Sequence, residues 1–395
     1  MTLALDGMRV LEITQVMSGP FCGLLLADMG ADVIKVEKPG GDDSRRMAPP
    51  TINGESAAFM SINRNKRGLG LNLKTEEGRA IFKRLAAASD ILIENFRPGA
   101  MAKLGLGYDD LAPANPALIY CSISGFGQTG PYRDRGGFDL VAQAMSGMIS
   151  ITGHPDQTPV KVGVPIADLN AGMYACYAIL SAYIHRLKTG KGQRIDASLL
   201  ESSLAYTFWE SAMFFATGEN PKAMGSAHRL SAPYQVFKAA DGYFALGAAN
   251  QSNWKRLCEV IQRPDLLHDP RFVDNPTRVL NQLDLTRVLE DVFKQRTLNQ
   301  WISAFEEAGV PVGPVYSFDQ VYQDPQVIDR EMSVEINHPK AGPTRLIGIP
   351  VKLSETPGRI RRPAPTLGQH TDEILGEAGL DQPEIKSLRE KKAVF

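Results

Sequence analysis

The sequence predicts a doubly wound α/β protein, with a Rossmann-like parallel sheet in a large domain and a second, smaller α+β domain. Over the first 200 residues, short runs rich in branched residues alternate with helical patterns, which is typical of βαβ units and a parallel sheet. Around residues 218–233, Gly, Asn, Pro and Ser accumulate without periodicity and indicate a boundary. A chain of 395 residues also exceeds the usual size of a single core. We therefore assign residues 1–222 and 325–395 to the large domain and residues 223–324 to the small one.

The individual elements follow from the periodicity of the apolar residues. Short apolar runs bounded by turns predict strands at 8–13, 32–37, 69–73, 90–94, 118–124 and 194–197. Helical spacing predicts helices at 19–29, 75–88, 137–149, 168–187 and 199–217, with Thr75 as the N-cap of the second. In the small domain we predict a strand at 243–248 and helices at 250–261, 283–294 and 299–307. The C-terminal part has extended segments at 333–337 and 345–353 and a last helix at 371–377.

Composition and charge argue against several classes of protein. The formal net charge is −1, which does not favour nucleic acid or an anionic membrane as a partner. The histidines do not cluster and the cysteines form no C-x-x-C pair, so neither a disulfide framework nor a metal site is expected. The first residues lack the basic and apolar regions of a signal peptide, and the longest apolar run is too short for a bilayer. We therefore expect a soluble, cytoplasmic protein with four reduced cysteines: Cys22, Cys121, Cys176 and Cys258.

Two glycine-rich segments imitate nucleotide-binding motifs. Residues 125–130 (GFGQTG) have the G-x-G-x-x-G spacing and follow a predicted strand. However, the segment PYRDR that follows is a loop rather than a helix, and no strand ending in Asp or Glu comes about 20 residues later. Residues 188–192 (KTGKG) lack the first Gly and the final Ser or Thr of a phosphate loop. Dinucleotide binding and phosphate-loop chemistry are therefore not predicted, although the first segment lies where α/β sheets bind ligands.

Asp168 is the candidate catalytic residue, and it has two interpretations. It stands between apolar segments at the predicted start of a helix, where a carboxylate is favoured as an N-cap that accepts from the amides of residues 169–171. The same position keeps a carboxylate ionised in a poorly solvated setting, where it is a stronger nucleophile. Neighbouring amides would then stabilise the oxyanion of a tetrahedral intermediate. Helix propensity alone favours the cap.

Basic residues near the predicted strand ends form a second candidate feature. Each one by itself is best explained as a surface charge. Several of them at the carboxyl ends of parallel strands would make a positive rim suited to a polyphosphate. The residues concerned are Lys35, Lys38, Arg64, Lys66, Arg67, Arg97, Lys103, Arg133 and Arg135.

Segments spread over the whole chain resemble the class III CoA-transferase family (the CaiB/BaiF type). This family includes formyl-CoA transferase, carnitine CoA-transferase, succinyl-CoA:dicarboxylate transferases and methylacyl-CoA racemases. The glycine-rich segment 125–130 belongs to one of the matching segments. The resemblance rests on LEITQVMSGPFCGLLLADMGADVIKVEKPGGDD, NRNKRGLGLNLKTEEGR, ENFRPGAMAKLGL, IYCSISGFGQTGPY, GGFDLVAQAMSG, IADLNAGMYA and KTGKGQRIDASL.

The resemblance implies a catalytic role for Asp168 and an interlaced homodimer. In the implied mechanism Asp168 attacks an acyl-CoA thioester to form an anhydride, CoA then returns to form an aspartyl-CoA thioester, and an acceptor carboxylate attacks that thioester. CoA or an acyl-CoA is thus a substrate, and no permanently bound cofactor is expected. The CoA contacts that the resemblance implies are Gln15, Val16, Met17, Ser18, Lys38, Leu71, Asn72, Leu73, Lys74, Asn95, Phe96, Arg97, Lys103, Arg135, Gly136, Gly137 and Phe138.

Comparison with the branches of the family reduces the range of possible substrates. Formyl-CoA transferase has His, Gln, Arg and Arg where this chain has Gln15, Met17, Lys38 and Lys103, and its glycine-rich substrate loop is absent. The segments NRNKR, IYCSISGFGQTGP and PYQVFK are most similar to the succinyl-CoA:glutarate or hydroxymethylglutarate branch. The hypothesis is therefore a succinyl-CoA-like donor and a dicarboxylate acceptor such as glutarate. One of Arg64, Arg67 and Arg97 would pair with the distal carboxylate of the acceptor.

Two alternatives remain open from the sequence. A methylacyl-CoA racemase needs two bases, and the racemases of the family pair the Asp with a His in a GHD-type motif. Here that motif reads Gly137-Phe138-Asp139, so the histidine is missing. The other alternative is a CoA-binding protein without turnover, against which an intact Asp168 argues.

Overall fold

The computed structural model describes residues 2–395, and the chain divides into two compact units. The first comprises the chain up to Met148, Lys161–Ala216 and Pro325–Phe395, and the second comprises Ile149–Val160 and Thr217–Asp324. The short segment 149–160 thus belongs to the second unit, whereas its position in the sequence predicted that it belongs to the large domain. Among residues 2–395, no helix is both long and apolar enough to cross a membrane.

The first unit is built on a sheet of six parallel strands. The strand order is β5-β2-β1-β6-β7-β8, which confirms the predicted parallel sheet. The predicted strand at 69–73 is wrong by three residues, because two buried basic residues, Lys66 and Arg67, begin the strand. The strands of this unit are β1 Arg9–Ile13, β2 Asp32–Glu37, β3 Thr51–Ile52, β4 Glu55–Ser56, β5 Lys66–Gly70, β6 Ile91–Glu94, β7 Ile119–Ser124 and β8 Arg194–Ser198.

The helices up to residue 217 mostly agree with the predicted positions. The predicted helices at 137–149 and 199–217 are each divided into two. In the helix predicted at 137–149, the break falls at Gly147, which has φ of 82°. In the helix predicted at 199–217, the break falls at Thr207, whose hydroxyl donates to the Leu204 carbonyl. The helices are α1 Ser18–Asp28, α2 Ala57–Ile62, α3 Glu76–Ala87, α4 Ala100–Lys103, α5 Tyr108–Leu111, α6 Asp139–Met145, α7 Met148–Ile151, α8 Ile166–Thr189, α9 Leu199–Leu204 and α10 Phe208–Thr217.

The second unit contains the antiparallel sheet β11-β10-β9 and a cluster of helices around an aromatic core. Phe237, Phe244, Phe293, Trp301 and Phe305 stack edge-to-face and face-to-face in this core. Strand β9 was missed by the sequence analysis. The elements are β9 Tyr234–Lys238, β10 Tyr243–Gly247, α11 Gln251–Val260, α12 Asn275–Leu280, α13 Gln282–Phe293, α14 Leu298–Glu307, β11 Val312–Pro314 and α15 Phe318–Val321.

The C-terminal segment returns to the first unit and covers one face of its sheet. It forms α16 Pro325–Asp329, the antiparallel pair β12 Ser333–His338 and β13 Gly342–Ile347, α17 Thr371–Glu377 and α18 Gln382–Glu390. Ile374 and Ile385 pack with α3 against Leu11 and Leu92. The opposite face of the sheet packs against α1 and α8. This layering, with helices on both faces of a parallel sheet, is the predicted doubly wound arrangement.

Candidate active site

The loop after β1 is held in one conformation by side chains from two other segments. The Asn95 side chain, just after β6, accepts from the N–H of Gln15 and donates to its carbonyl, both at 2.8 Å. Asp42 accepts from the N–H of Val16 at 3.1 Å. These bonds hold Val16 at φ of 66°, a region that β-branched residues rarely enter. Such strain persists where the surroundings enforce it, which is common at ligand-binding loops.

A buried cluster of four charges lies beneath this loop. The Lys35 ammonium is 3.2 Å from the Glu12 carboxylate and 2.9 Å from Asp42, and the Lys66 ammonium is 2.8 Å from Glu12. All four side chains are fully buried. Because two cations face two carboxylates, the cluster carries no net charge, although burial still lowers the pKa of Lys66 to about 8. The cluster fixes Asp42 and thereby supports Val16.

A cavity of about 560 Å³ opens at the carboxyl ends of β1, β2 and β5. Its position is where parallel α/β sheets bind ligands. The structure brings seven of the predicted CoA contacts together in its wall. They are Gln15, Lys38, Leu71, Asn72, Leu73, Lys74 and Phe96. Much of the remaining lining was not predicted from the sequence and consists of Glu37, Pro39, Asp42 and Leu104.

The other predicted contacts lie around this cavity rather than in its wall. Val16, Met17 and Ser18 continue the loop from Gln15 into α1. Arg97 lines a second cavity of about 340 Å³, and Lys103 is exposed at the end of α4. The remaining residues, Arg135, Gly136, Gly137 and Phe138, belong to the loop that leads into α6.

Four of the nine cations expected at the rim are not available there. Arg64 forms a buried pair with Asp28 at 2.7 Å, and Arg67 pairs with Asp32 at 2.6 Å. Asp32 is the first residue of β2, so Arg67 lies at the amino edge of the sheet, opposite the cavity. Lys35 and Lys66 are both paired with Glu12 in the buried cluster. The expectation that Arg64 or Arg67 contacts an acceptor is therefore wrong, because both are saturated by carboxylates.

The glycine-rich segment 125–130 forms a loop, as predicted. Its first glycine makes a close crossing of two chain segments: a Cβ added to Gly125 would lie 2.6 Å from the Cα of Gly137. No side chain fits at either position. This contact places the loop that contains Phe138 at the carboxyl end of β7, directly before α6.

Asp168 is not the N-cap of α8, which corrects one of the two interpretations of this residue. The helix begins at Ile166, and Asp168 is its third residue. The Asp139 carboxylate, from the start of α6, accepts from the amides of Ala167 at 2.8 Å and Asp168 at 3.4 Å. The amides of Ala167 and Asp168 are thus engaged by Asp139, and the amide of Leu169 donates to the Pro165 carbonyl. As a result, the side chain of Asp168 has no capping function.

A close contact between α8 and α1 sets the surroundings of Asp168. A Cβ added to Gly172, one turn after Asp168, would lie 2.6 Å from the carbonyl oxygen of Ser18. The glycine therefore lets α8 approach the start of α1. There the Ser18 side chain interacts with the Asp168 carboxylate and lowers its pKa. Ser18 in turn lies 3.5 Å from Asn95, which links Asp168 to the loop beside the cavity.

The environment of Asp168 makes its carboxylate more basic than usual. Burial and, second, the negative charge of Asp139 raise the pKa of Asp168 to about 6, while the interaction with Ser18 opposes the rise. The group is therefore ionised at neutral pH, with a pKa near the range in which carboxylates act as nucleophiles or bases. Among residues 2–395, no group of three or more His, Cys, Asp and Glu side chains is placed to hold a metal ion.

Comparisons with known proteins identify the family. The model of CoA-transferase family III matches residues 5–371. Succinyl-CoA:glutarate CoA-transferase from Mus musculus is 41% identical over 374 residues, covering 94% of this chain and 86% of that protein. Succinyl-CoA:mesaconate CoA-transferase from Haloarcula marismortui is 39% identical, covering 96% of this chain and 97% of that protein. A CaiB/BaiF family protein from Brucella suis, solved by crystallography, is 39% identical with a TM-score of 0.86, covering 96% of this chain and 100% of that one.

The chain belongs to CoA-transferase family III, the CaiB/BaiF class, and is an enzyme of that class. The family and the CoA-transferase activity that the sequence resemblance implied are thereby confirmed. The six-stranded parallel sheet is likewise that of a CaiB/BaiF protein.

Proposed function

We propose that this enzyme moves CoA from succinyl-CoA, or a similar acyl-CoA, to a dicarboxylate such as glutarate, with Asp168 as the nucleophile. The observation that carries the proposal is the state of Asp168: a largely buried carboxylate of raised pKa, relieved of helix capping, beside the loop that lines the cavity. The similar transferases from Mus musculus and Haloarcula marismortui both act, by their names, on succinyl-CoA and a dicarboxylate, which supports the substrates proposed for this enzyme.

The chemistry needs only a carboxylate and the two substrates. The ionised Asp168 attacks the carbonyl carbon of the donor thioester, and CoA leaves as a thiolate, which gives a mixed anhydride of the donor acid and Asp168. The thiolate then attacks the aspartyl carbonyl, which releases the donor acid and leaves an aspartyl-CoA thioester. The acceptor carboxylate attacks this thioester to give a second anhydride, and the thiolate takes the acceptor acyl group and restores Asp168. Each step exchanges one acyl bond for another, so one difficult transfer is divided into easier ones.

The CoA moiety is proposed to bind in the 560 Å³ cavity. Lys38 and Lys74 would face its phosphates, since both are in the wall. Leu71, Leu73 and Phe96 would contact apolar parts of the nucleotide. Of the three arginines considered for the acceptor, Arg97 is still a candidate, because it is exposed at the carboxyl edge of the sheet.

A homodimer is proposed because α8 and α10 expose large apolar side chains. Along α8, Met173, Tyr177, Ile184 and Leu187 recur at helical spacing and are 47–71% exposed, while Phe215 on α10 is 81% exposed. Monomeric proteins rarely expose a row of large apolar side chains of this kind to water. A second copy of this chain is the occupant that the family resemblance implies. Light scattering across a dilution series checks this, and a monomer at micromolar concentration would contradict it.

The four free cysteines are buried, which supports the proposed cytoplasmic location, where thiols stay reduced.

The nucleophile is tested with Asp168→Asn, which keeps the size of the side chain and removes its charge. Wild-type protein incubated with succinyl-CoA and no acceptor should gain the mass of CoA less water, as an adduct at Asp168. The Asn variant should form no adduct and lose CoA transfer by at least roughly 10³-fold. Circular dichroism and an unchanged melting temperature serve as folding controls. Transfer at near wild-type rate by the variant would rule out the mechanism.

The acceptor preference is tested with a panel of mono- and dicarboxylates, using succinyl-CoA as the donor. Glutarate should be used at a kcat/KM at least roughly tenfold above that of acetate, because a paired distal carboxylate contributes about 1.4 kcal/mol or more. Arg97→Gln should lower the ratio of kcat/KM for glutarate to kcat/KM for acetate. Equal rates with acetate and glutarate would contradict the dicarboxylate preference without affecting the role of Asp168.

A further inference from the structure

The start of α8 is capped by a residue from a different helix. Asp139 lies 29 residues before Asp168, yet its Oδ1 accepts from the amides of both Ala167 and Asp168. Helix N-termini usually receive this acceptor from the residue just before the helix. Here that residue is Pro165, whose side chain cannot serve as an acceptor. The conformation of the turn that carries Asp168 therefore depends on α6.

Asp139 is itself held in place by a buried amide. The Gln143 side chain, one turn further along α6 and fully buried, donates to Asp139 Oδ2 at 2.7 Å. Its oxygen accepts from the N–H of Val162 at 3.0 Å. Hydrogen bonds thus run from Val162 through Gln143 and Asp139 to the first amides of α8. This arrangement fixes the segment that leads into α8 at both of its ends.

We propose that Asp139 is a positioning residue for the transfer reaction: it takes over the capping of α8, so that the Asp168 carboxylate is left for the substrate, and it holds Asp168 against Ser18. The proposal rests on the proposed role of Asp168 as nucleophile. Asp139 does not contact the substrate in this scheme. It acts through the backbone of Asp168 and through its own charge.

The charge of Asp139 is the second part of its effect. It raises the pKa of Asp168 after burial, which is the larger cause, and thus makes the nucleophile more basic. Of the titratable groups on the elements that pack against α8, Asp139 is the one whose charge acts on Asp168. Those elements are α1, α6, α9, β7 and β8, and the groups are Cys22, Asp28, Tyr120, Cys121, Asp139, Arg194, Asp196 and Glu201.

Two variants separate position from charge. Asp139→Asn retains an oxygen for the amide of Ala167, but its new NH₂ group meets the NH₂ group of Gln143. The double variant Asp139→Asn/Gln143→Glu exchanges amide and carboxylate. It restores every hydrogen bond of the chain to Val162 and keeps the total charge, while it moves the negative charge away from Asp168. Asp291→Asn, an exposed carboxylate on α13, is the control for removal of a surface charge.

The rate of CoA transfer is measured against pH in the full-length enzyme. Asp168 must be ionised to attack, so activity falls as pH drops through its pKa. Asp139→Asn should move this acid limb to lower pH by roughly half a unit or more, because a like charge has been removed. It should lower kcat by roughly tenfold with little change in KM for the acyl-CoA. The double variant should melt at the temperature of the wild type, but its acid limb should stay at the lower pH found for Asp139→Asn. The control Asp291→Asn should match the wild type in its acid limb and in kcat.

An acid limb and kcat that stay at wild-type values in both Asp139 variants would overturn the proposal. A double variant whose limb returns to the wild-type position would also overturn it, since charge would then have no effect. If the single variant does not fold, the double variant carries the same test. Failure of the proposed function is recognised separately: it would appear as activity and CoA adduct in Asp168→Asn, whatever the behaviour of Asp139.

Discussion

The buried charge cluster beneath the Val16 loop gives a prediction whose size follows from the structure. Glu12 contacts both ammonium groups, at 3.2 Å from Lys35 and 2.8 Å from Lys66. Glu12→Gln would leave three charges and an excess of one cation in a site that water does not reach. Removing one partner of a buried pair costs about 3–5 kcal/mol. At roughly 2 °C per kcal/mol for a chain of this size, the melting temperature should fall by roughly 6–10 °C.

The dependence of this loss on pH identifies its cause. Burial already lowers the pKa of Lys66 to about 8, and removal of Glu12, which opposes that fall, lowers the pKa further. Below pH 8 the wild-type Lys66 is charged and its attraction to Glu12 contributes stability. Above pH 8 it becomes neutral and that contribution disappears. The loss in Glu12→Gln should therefore be larger at pH 6.5 than at pH 9.

Thermal unfolding followed by circular dichroism at these two pH values is the measurement. The double variant Glu12→Gln/Lys66→Met restores charge balance and should melt above Glu12→Gln alone. Gly23→Ala is not a suitable control, because its methyl group would meet Glu12 itself. A melting temperature within 2 °C of the wild type, or an equal loss at both pH values, would refute the argument that Lys66 is held by Glu12.

Two further changes test the surroundings of Asp168. Ser18→Ala removes the hydroxyl that lowers the pKa of Asp168, so the acid limb of the pH–rate profile should move to higher pH. A limb that moves to lower pH would contradict the assignment. Gly172→Ala places a methyl group 2.6 Å from the Ser18 carbonyl and should destabilise the protein by about 1–3 kcal/mol and reduce kcat, although Ala favours helices. Gly376→Ala in α17, where the methyl group would meet no atom within 4 Å, is the matched control and should raise the melting temperature slightly.

Of the two interpretations of Asp168, the helix cap was wrong. Propensity favoured a cap because Asp near the start of a helix usually accepts from the first amides. In the structure a second carboxylate, Asp139, performs that role. The sequence contained one signal for it, since Asp139 lies in the first turn of the helix predicted at 137–149. However, the partner of a carboxylate 29 residues away cannot be read from local spacing.

The burial of several basic residues could likewise not be predicted from local sequence. Lys35, Lys66 and Arg67 stand in strands where solvent exposure is the usual state of a charged residue. Their burial depends on Glu12, Asp42 and Asp32, which reach them only after the strands have paired. Arg64 and Arg67 were assigned to the wrong edge of the sheet, although Arg64 precedes β5 and Arg67 is its second residue, which places both at the amino end of that strand.

The sequence by itself determined the parallel α/β sheet, most of its strands and helices and the family, and it led to the proposal of Asp168 as the nucleophile. These follow from the spacing of apolar residues within short windows and from segments that match a family along the chain. Only the tertiary structure decided which charges are buried, which cap α8 and which residues share a cavity. The physical reason is that a buried charge or helix end takes whatever partner close packing brings to it, and that partner is set by contacts between distant segments.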